Sequence, residues 1–354
     1  MKSSSASPCS DQPVIERSVT VSELSDPTSI GEGIEVLLQD AVQLESKPLR
    51  AHRTIVRLGE CIVVFHYTNL PVRTRTRLLD SFVAYSTFGP AALGSINGIP
   101  IAMDRVTAVP GGTEVEFVVG AGYESVAFLV RPEFLCFHVE ARQRNADIQI
   151  PSTPQVLTPD PISIRNLYSW GRSLTQIAAR QPDLFELPET QTSAKVELIE
   201  HLFSMLLSVV PRQATKQQLT RERYSAIVQT AEDYVLSHSS GQLYITDLCK
   251  ATEVSERTLQ YAFHEVMGMT PMAYLTKLRL HRVRQSLRLA DHASTTVSQE
   301  ATRWGFWHFG DFSRAYKDCF GELPSDTLRT KANPENATRI PEDAQLVRLN
   351  RDHR

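Results

Sequence analysis

One short pattern is written twice near the C-terminus of this chain, with an offset of 53 residues. The first copy consists of Phe263, Gly268, Pro271 and Leu275. The second copy has the same spacing and consists of Tyr316, Gly321, Pro324 and Leu328. Leu259 and Phe312 extend the match backwards at the same offset. Because several independent positions agree, the pattern indicates a structural unit that has been duplicated and fused.

Each copy follows two short helical stretches separated by a tight turn. In the first copy Ser255 is suited to cap the second helix, and in the second copy Gly305 suits a turn that needs positive φ. Two short helices joined by so brief a turn cross steeply and form a helix-turn-helix unit. A longer helix that begins at Thr270 and Pro271 joins the two units. The sequence therefore predicts an all-α domain with two helix-turn-helix units at 221–330.

The second helix of each unit has polar outward positions that suit DNA recognition. Arginine and glutamine make paired hydrogen bonds with guanine and adenine edges, and aspartate accepts from cytosine. We predict base contacts from Arg257, Gln260, Tyr261, Asp311 and Arg314. We predict phosphate contacts from Ser255, Lys277, Arg284, Arg288 and His308. The connecting helix, at about 27 Å, approaches the ~34 Å that separates successive major-groove turns.

The residues that carry these features also define a resemblance. They include the run 255–259, Phe263, the run 268–271, Arg279, the run 304–306, Tyr316 and the run 320–325. In combination they resemble the C-terminal domain of the AraC/XylS family of bacterial transcription regulators, over about 222–330. The resemblance implies that Arg257, Gln260 and Tyr261 lie on the first base-reading helix, and Phe309, Gly310, Asp311 and Arg314 on the second. Family members often have polar residues at the positions of Phe309 and Gly310, which favours phosphate contacts by the second helix.

The remainder of the chain predicts a different architecture. Residues 1–30 are rich in Ser and Pro and are expected to be disordered. Residues 31–160 predict a mainly β barrel or jelly roll, because short strand-like runs alternate with turn signals. The runs are Arg53–Arg57, Cys61–Tyr67, Val115–Val119, Ser125–Val130 and Phe134–Val139. The family resemblance implies that this domain is a cupin-like sensor.

Residues 161–220 predict a helical dimerisation segment followed by a linker. The range 193–210 has a wide apolar stripe at helical spacing, which favours a dimer contact or packing against the strand domain. The polar range 212–221 is expected to be the linker, and 331–354 a flexible tail.

Composition argues against several classes of function. Five widely spaced cysteines without a CxxC pair argue against a disulfide framework or structural zinc and favour a reducing cytoplasm. The N-terminus lacks the apolar region of a secretion signal, and no apolar run approaches the ~20 residues of a membrane helix. His52, His66 and His138 are isolated, so we expect no metal, cofactor or catalytic residues. The net charge of −3 means that DNA affinity must depend on where charges lie.

The family resemblance implies a transcription regulator, and the composition predicts that it is cytoplasmic. Its expected partners are double-stranded promoter DNA, RNA polymerase, a small-molecule effector whose pocket residues are unknown, and a second copy of the chain bound through 193–210. We expect an activator of metabolic or catabolic genes. The alternatives are a repressor that needs no ligand and a cupin-type enzyme with a DNA-binding appendage.

Overall fold

In the computed structural model, the described residues are 17–31, 33–141, 150–210, 215–238, 243–290 and 295–329. The N-terminal half is mainly β, as predicted. Its strands are β1 (Val19–Leu24), β2 (Leu37–Gln43), β3 (Ala51–Arg57), β4 (Cys61–Thr68), β5 (Val72–Leu78), β6 (Val83–Phe88), β7 (Gly94–Ile96), β8 (Ile99–Pro100), β9 (Val106–Pro110), β10 (Glu114–Val119), β11 (Tyr123–Val130) and β12 (Gln155–Leu157).

The strands form two antiparallel sheets. One sheet has seven strands in the order β1-β3-β4-β11-β6-β9-β12, and the other has five in the order β2-β5-β10-β7-β8. Buried apolar side chains from both sheets fill the space between them, among them Ile55, Leu78, Phe88, Val115 and Leu129. This two-sheet arrangement confirms the β-rich N-terminal fold and gives a sandwich with a packed interior.

Two predictions for this region were wrong. Residues 19–24 were expected to be disordered but form β1, which pairs with β3 along its whole length. The run 134–139 was expected to be a strand but lies in helix α1 (Pro132–Ala141). Pro132 suits the first turn of a helix, and the rings of Phe134 and His138, four residues apart, lie with centroids 4.5 Å apart. The predictions for 1–16 and 331–354 concern residues outside the described ranges.

Two long helices cover the outer face of the seven-stranded sheet. They are α2 (Pro161–Arg180) and α3 (Pro188–Leu207). A Cβ atom added to Gly171 of α2 would lie 2.7 Å from the Phe128 ring, so glycine is what allows this close approach. The apolar stripe of 193–210 is divided: Ile199, Leu202 and Phe203 are buried in this core, whereas Val196, Leu207 and Val210 are exposed.

The C-terminal half is helical, as predicted. Its helices are α4 (Lys216–Ser237), α5 (Ile245–Thr252), α6 (Glu256–Met267), α7 (Pro271–Leu289), α8 (Val297–Arg303), α9 (Phe309–Phe320) and α10 (Pro324–Arg329). The expected linker at 212–221 is partly wrong, because α4 already begins at Lys216. Thr215 and Gln218 form a capping box there, which satisfies the first backbone donors of the helix.

The repeated pattern corresponds to a repeated element junction. Gly268 ends α6 and Gly321 ends α9, with φ of +70° and +77°, a conformation that favours glycine. The prolines that follow, Pro271 and Pro324, begin α7 and α10. The repeated aromatic residue is buried in both copies. The duplication therefore preserves a helix end, a helix start and the core contact between them.

Candidate nucleic-acid interface

The first helix-turn-helix unit consists of α5 and α6. Glu253 adopts φ of +54° in the turn, and the Ser255 hydroxyl accepts a hydrogen bond from the Thr258 backbone N–H at 3.3 Å. Leu259 and Phe263 lie on the inner face of α6 and are buried. This leaves the opposite face of the helix, and its N-terminal end, on the surface of the domain.

The predicted base contacts of the first unit lie together on that exposed face. Arg257, Gln260 and Tyr261 are all exposed. One Arg257 nitrogen donates to the Tyr261 hydroxyl at 3.2 Å, and the guanidinium carbon lies 5.3 Å from the centroid of the Tyr261 ring. One turn of helix separates these two residues, so the contact holds the guanidinium group against the helix surface.

The second unit consists of α8 and α9. Thr296 and Gln299 form a capping box at the start of α8, and Gly305 adopts φ of +78° in the turn. The inner face of α9 is buried and consists of Phe312, Tyr316 and Cys319. The turn at Gly305 is the one that the sequence predicts.

The outward face of α9 is less polar than that of α6. Phe309 is exposed at the first position of the helix, and His308 and Gly310 are exposed beside it. Asp311 and Arg314 form an ion pair within the helix, with both side chains largely exposed. An exposed pair of this kind stabilises a helix by less than about 1 kcal/mol. DNA that recruited either side chain would therefore break the pair at little cost in free energy.

The basic residues of α7 lie in a different environment. Arg284 is buried, and its nitrogens lie 2.7 Å from Asp26 and 2.8 Å from Glu322. Arg288 lies 2.8 Å from Asp26. Burial opposes ionisation of Asp26, but these guanidinium groups hold its pKa below the usual value. In this arrangement a phosphate contact by Arg284 or Arg288 would require the two domains to separate.

Other residues of α7 also face the β domain. Arg282 makes two hydrogen bonds with Asp40, at 2.8 and 2.5 Å. Buried His281 accepts a hydrogen bond from the Gln43 backbone N–H at 3.2 Å, so its Nε2 atom is unprotonated. The Lys277 ammonium group donates to Ser46 at 3.1 Å and remains partly exposed. The basic face of α7 is therefore largely an interface between domains.

A buried charge cluster forms a second part of this interface. Arg73 of β5 is fully buried and contacts both Glu232 of α4 and Glu116 of β10, the latter at 3.2 Å. The Ser225 hydroxyl donates to Glu116 at 2.9 Å, and the Tyr274 hydroxyl donates to Glu232. Burial raises the pKa of Glu232, although Arg73 opposes the shift. Sequence reasoning missed this cluster, because nothing in the local pattern links positions 73, 116 and 232.

Two further properties bear on function. Within the residues that the structure describes, no group of three or more His, Cys, Asp or Glu side chains is arranged to hold a metal ion. The helices in the described part of the chain include none with the length and apolarity needed to cross a membrane.

Comparison with known proteins identifies relatives of the C-terminal half. Residues 248–330 match a family model described as a helix-turn-helix domain. A probable thc operon regulatory protein of Rhodococcus erythropolis is 41% identical over 104 residues, which are 29% of this chain and 31% of that protein. The XylDLEGF operon transcriptional activator 3 of Pseudomonas putida is 30% identical over 145 residues, 41% of this chain and 42% of that protein.

A solved structure matches the same half of the chain. It is that of a probable AraC family transcriptional regulator from Rhodopseudomonas palustris CGA009, with 33% identity and a TM-score of 0.27. The match covers 30% of this chain and 99% of that structure. The chain spans less than half the length of the two curated relatives described above.

Proposed function

The C-terminal domain of this chain is a DNA-binding domain of the AraC/XylS family, and on that basis we propose that the protein is a sequence-specific transcription regulator. The observation that carries the proposal is the pair of capped, well-packed helix-turn-helix units whose second helices, α6 and α9, have exposed outward faces. Neither face is covered by the β domain in the interface described above, so DNA has access to both.

The proposed contacts with bases come from Arg257, Gln260 and Tyr261 on α6, and from Asp311 and Arg314 on α9. For Arg257 and Arg314, DNA binding would exchange a weak contact within the helix for hydrogen bonds to base edges. Phosphate contacts are proposed for Ser255 and His308, which lie at the N-terminal ends of the two helices, where backbone N–H groups favour anions. Lys277 is a further candidate, since it is partly exposed and its ammonium group donates to the uncharged Ser46 hydroxyl.

We assign the role of ligand sensor to the β domain and that of an activator of metabolic or catabolic genes to the whole chain. The P. putida relative is named as a transcriptional activator, which favours activation in concert with RNA polymerase. A protein that acts on promoter DNA in bacteria works in the cytoplasm. A ligand-independent repressor remains the alternative function. A screen of thermal stability against small metabolites separates the two, because a true ligand stabilises the folded state by mass action.

The proposed regulator acts as a homodimer through 193–210. The exposed side chains Val196, Leu207 and Val210 leave part of this stripe available to a second copy, although its other half is buried in the β domain. Leu207→Asp is expected to shift the sedimentation coefficient towards that of a monomer. The matched control is Ser169→Asp, which adds the same charge at an exposed position of α2 outside the stripe. An unchanged coefficient for both variants would place the contact elsewhere.

The decisive test of the proposed function is binding of the full chain to DNA from its own promoter region, measured by fluorescence anisotropy at two salt concentrations. We expect tight binding that weakens as salt rises, with a slope of about −0.9 per neutralised phosphate in a log–log plot. Arg223→Gln, a change at an exposed arginine of α4, serves as the control for loss of charge alone. Equal affinity for this promoter and for scrambled sequences, together with no selected sites among genomic fragments, would contradict sequence-specific regulation.

The cupin-type enzyme remains a separate alternative, and a metal assay on the purified protein addresses it. A metal-dependent enzyme of this kind would contain stoichiometric metal. We propose that the protein is not an enzyme, and we expect the purified chain to contain no stoichiometric metal. A stoichiometric metal content that survives chelation would favour the enzyme.

A further inference from the structure

Aromatic side chains are concentrated around the start of α9, and they divide into a packed pair and an exposed pair. Trp304 and Phe306 pack against the core of the second helix-turn-helix unit. The centroid of the Phe306 ring lies 5.1 Å from that of the Phe312 ring. Trp307 and Phe309 instead have 53% and 44% of their surface exposed. Two large apolar side chains are therefore presented to solvent at the N-terminal end of this helix.

Gly310 follows the exposed pair, and the fold of the chain does not require a glycine there. The residue lies in the first turn of α9, and its φ is outside the left-handed region that favours glycine. A Cβ atom added to it would meet no neighbouring heavy atom within 4 Å. Alanine would lose less conformational freedom on folding, so the glycine lowers stability without improving the packing. Its other common use is to allow close approach to a ligand.

The duplication shows which residue Gly310 replaces. At the offset of 53 residues, Gly310 corresponds to Arg257 and Phe309 corresponds to Glu256. The first unit thus presents two charged side chains where the second presents an aromatic ring and a glycine. Arginine recognises a base edge by hydrogen bonds, whereas an apolar ring contacts the 5-methyl group that thymine presents in the major groove. The two units are therefore suited to different kinds of base contact.

We propose that Phe309 reads thymine methyl groups in the major groove, and that Gly310 lets the α9 backbone come close enough for this contact. Trp307 extends the apolar surface at its edge. The inference rests on the proposed function and adds the class of base that the second unit selects. DNA is the occupant because the exposed aromatic pair is continuous with Asp311 and Arg314, the other exposed residues of this helix end.

The test compares thymine with deoxyuridine, which lacks only the 5-methyl group and keeps the same base pairing. Footprinting first locates the two major-groove patches of a bound genomic site. Deoxyuridine then replaces the thymines of one patch at a time, and competition fluorescence anisotropy with the full chain measures the affinities. In one patch, we expect binding to weaken about fourfold for each methyl group contacted, which corresponds to the ~0.8 kcal/mol of one buried carbon group.

Phe309→Ala links this preference to the side chain. The variant should bind the thymine duplex more weakly and lose the preference for thymine in that one patch, while any preference in the other patch stays. Phe309→Leu, which keeps an apolar side chain, should keep part of the preference. The matched control is Leu323→Ala, which shortens another apolar side chain that is 40% exposed, beyond the opposite end of α9. It should leave both preferences unchanged.

Gly310→Ala tests the close approach, with different expectations for stability and for DNA binding. The thermal midpoint should stay the same or rise, because alanine fits the backbone of the free helix. The affinity for the thymine duplex should fall at least as far as it does with deoxyuridine, because the added Cβ atom would hold the bases away from Phe309. A lower thermal midpoint with unchanged DNA affinity would give Gly310 a purely structural role and overturn the close approach.

Two further results would overturn the proposal. One is equal affinity of the unmodified chain for thymine and deoxyuridine duplexes in both patches. The other is an equal loss for Phe309→Ala on the two duplexes, which would make the ring a contact to the sugar or phosphate. If the chain still prefers its genomic site in either case, methyl reading alone fails. Absence of specific binding to any genomic fragment would overturn the proposed function together with it.

Discussion

Arginines on the outward faces of α6 and α9 and arginines on the basic face of α7 lie in opposite environments. Arg257 and Arg314 are exposed and have only weak contacts within their own helices. Arg284 and Arg288 are directed at Asp26, a residue more than 250 positions earlier in the chain. The number of basic residues on a helix therefore does not establish that the helix faces DNA. What distinguishes the two regions is whether acidic residues of the same chain already neutralise the charge.

The largest effect is expected at the interface between the β domain and the helical domain. Arg73→Ala removes the cation shared by two buried carboxylates, Glu116 and Glu232, and we expect a loss of about 3–5 kcal/mol in the free energy of unfolding. Urea denaturation measures this. Arg77→Ala, at an exposed position of the same strand, should change stability by less than about 0.5 kcal/mol. A similar small change for both would mean that the cluster does not hold the domains together.

For the outward face of α6, the expected effect is on the affinity for DNA and not on the stability of the fold. Arg257→Ala should weaken binding at the cognate site by about 1–3 kcal/mol and relax the preference for the base that it contacts. Its unfolding free energy should stay within about 0.5 kcal/mol of the unmodified chain, because the side chain is exposed. A competition assay with single-base variants of the site provides the measurement. Equal losses on every sequence would make Arg257 a phosphate contact.

The interface should also weaken in acid. Burial lowers the pKa of His281 to about 3, against the opposing fields of Asp26 and Asp40. Since the folded state binds fewer protons than the unfolded state, stability is lost as pH falls below about 6.5, and at pH 5 the loss from this residue is about 2 kcal/mol. Denaturation at pH 5 and pH 7.5 measures it. His281→Gln should reduce the difference, whereas the same change at exposed His238 should not.

The smallest effect concerns the salt dependence of DNA binding. Lys277→Ala should flatten the log–log slope by about 0.9, the value for one phosphate contact. Arg288→Ala should leave the slope unchanged if the domains stay packed, because Asp26 neutralises that arginine. The pair of variants thus compares, on a single helix, a cation that donates to a neutral hydroxyl with one that is paired with a carboxylate. A flattened slope for Arg288→Ala would show that α7 leaves the β domain when DNA binds.

The sequence predicted those parts of the fold that depend on local signals. The glycines at 268 and 321, the prolines that follow them, and the cap at Ser255 appear in the structure as helix ends and starts. The domain interface could not be predicted, because it depends on pairs such as Arg282 with Asp40 that are far apart in the chain. The run 134–139 was mistaken for a strand because short apolar runs rich in aromatic residues fit either period.

The division of the apolar stripe in α3 has a similar cause. Its spacing correctly predicts a helix, but a wide stripe does not indicate which side meets the β domain and which side remains exposed. That distinction depends on tertiary packing, which buries Ile199 and Phe203 on the side of α3 that meets the β domain.

The most direct test of the central claim is a footprint of the purified full chain on the DNA that flanks its own gene and, in parallel, on genomic fragments. The account predicts two protected major-groove patches on one face of the duplex, about one helical turn apart, one for α6 and one for α9. Repeated sites would accompany a dimer. A single protected patch would contradict base reading by α9, and no protection on any genomic DNA would contradict the account as a whole.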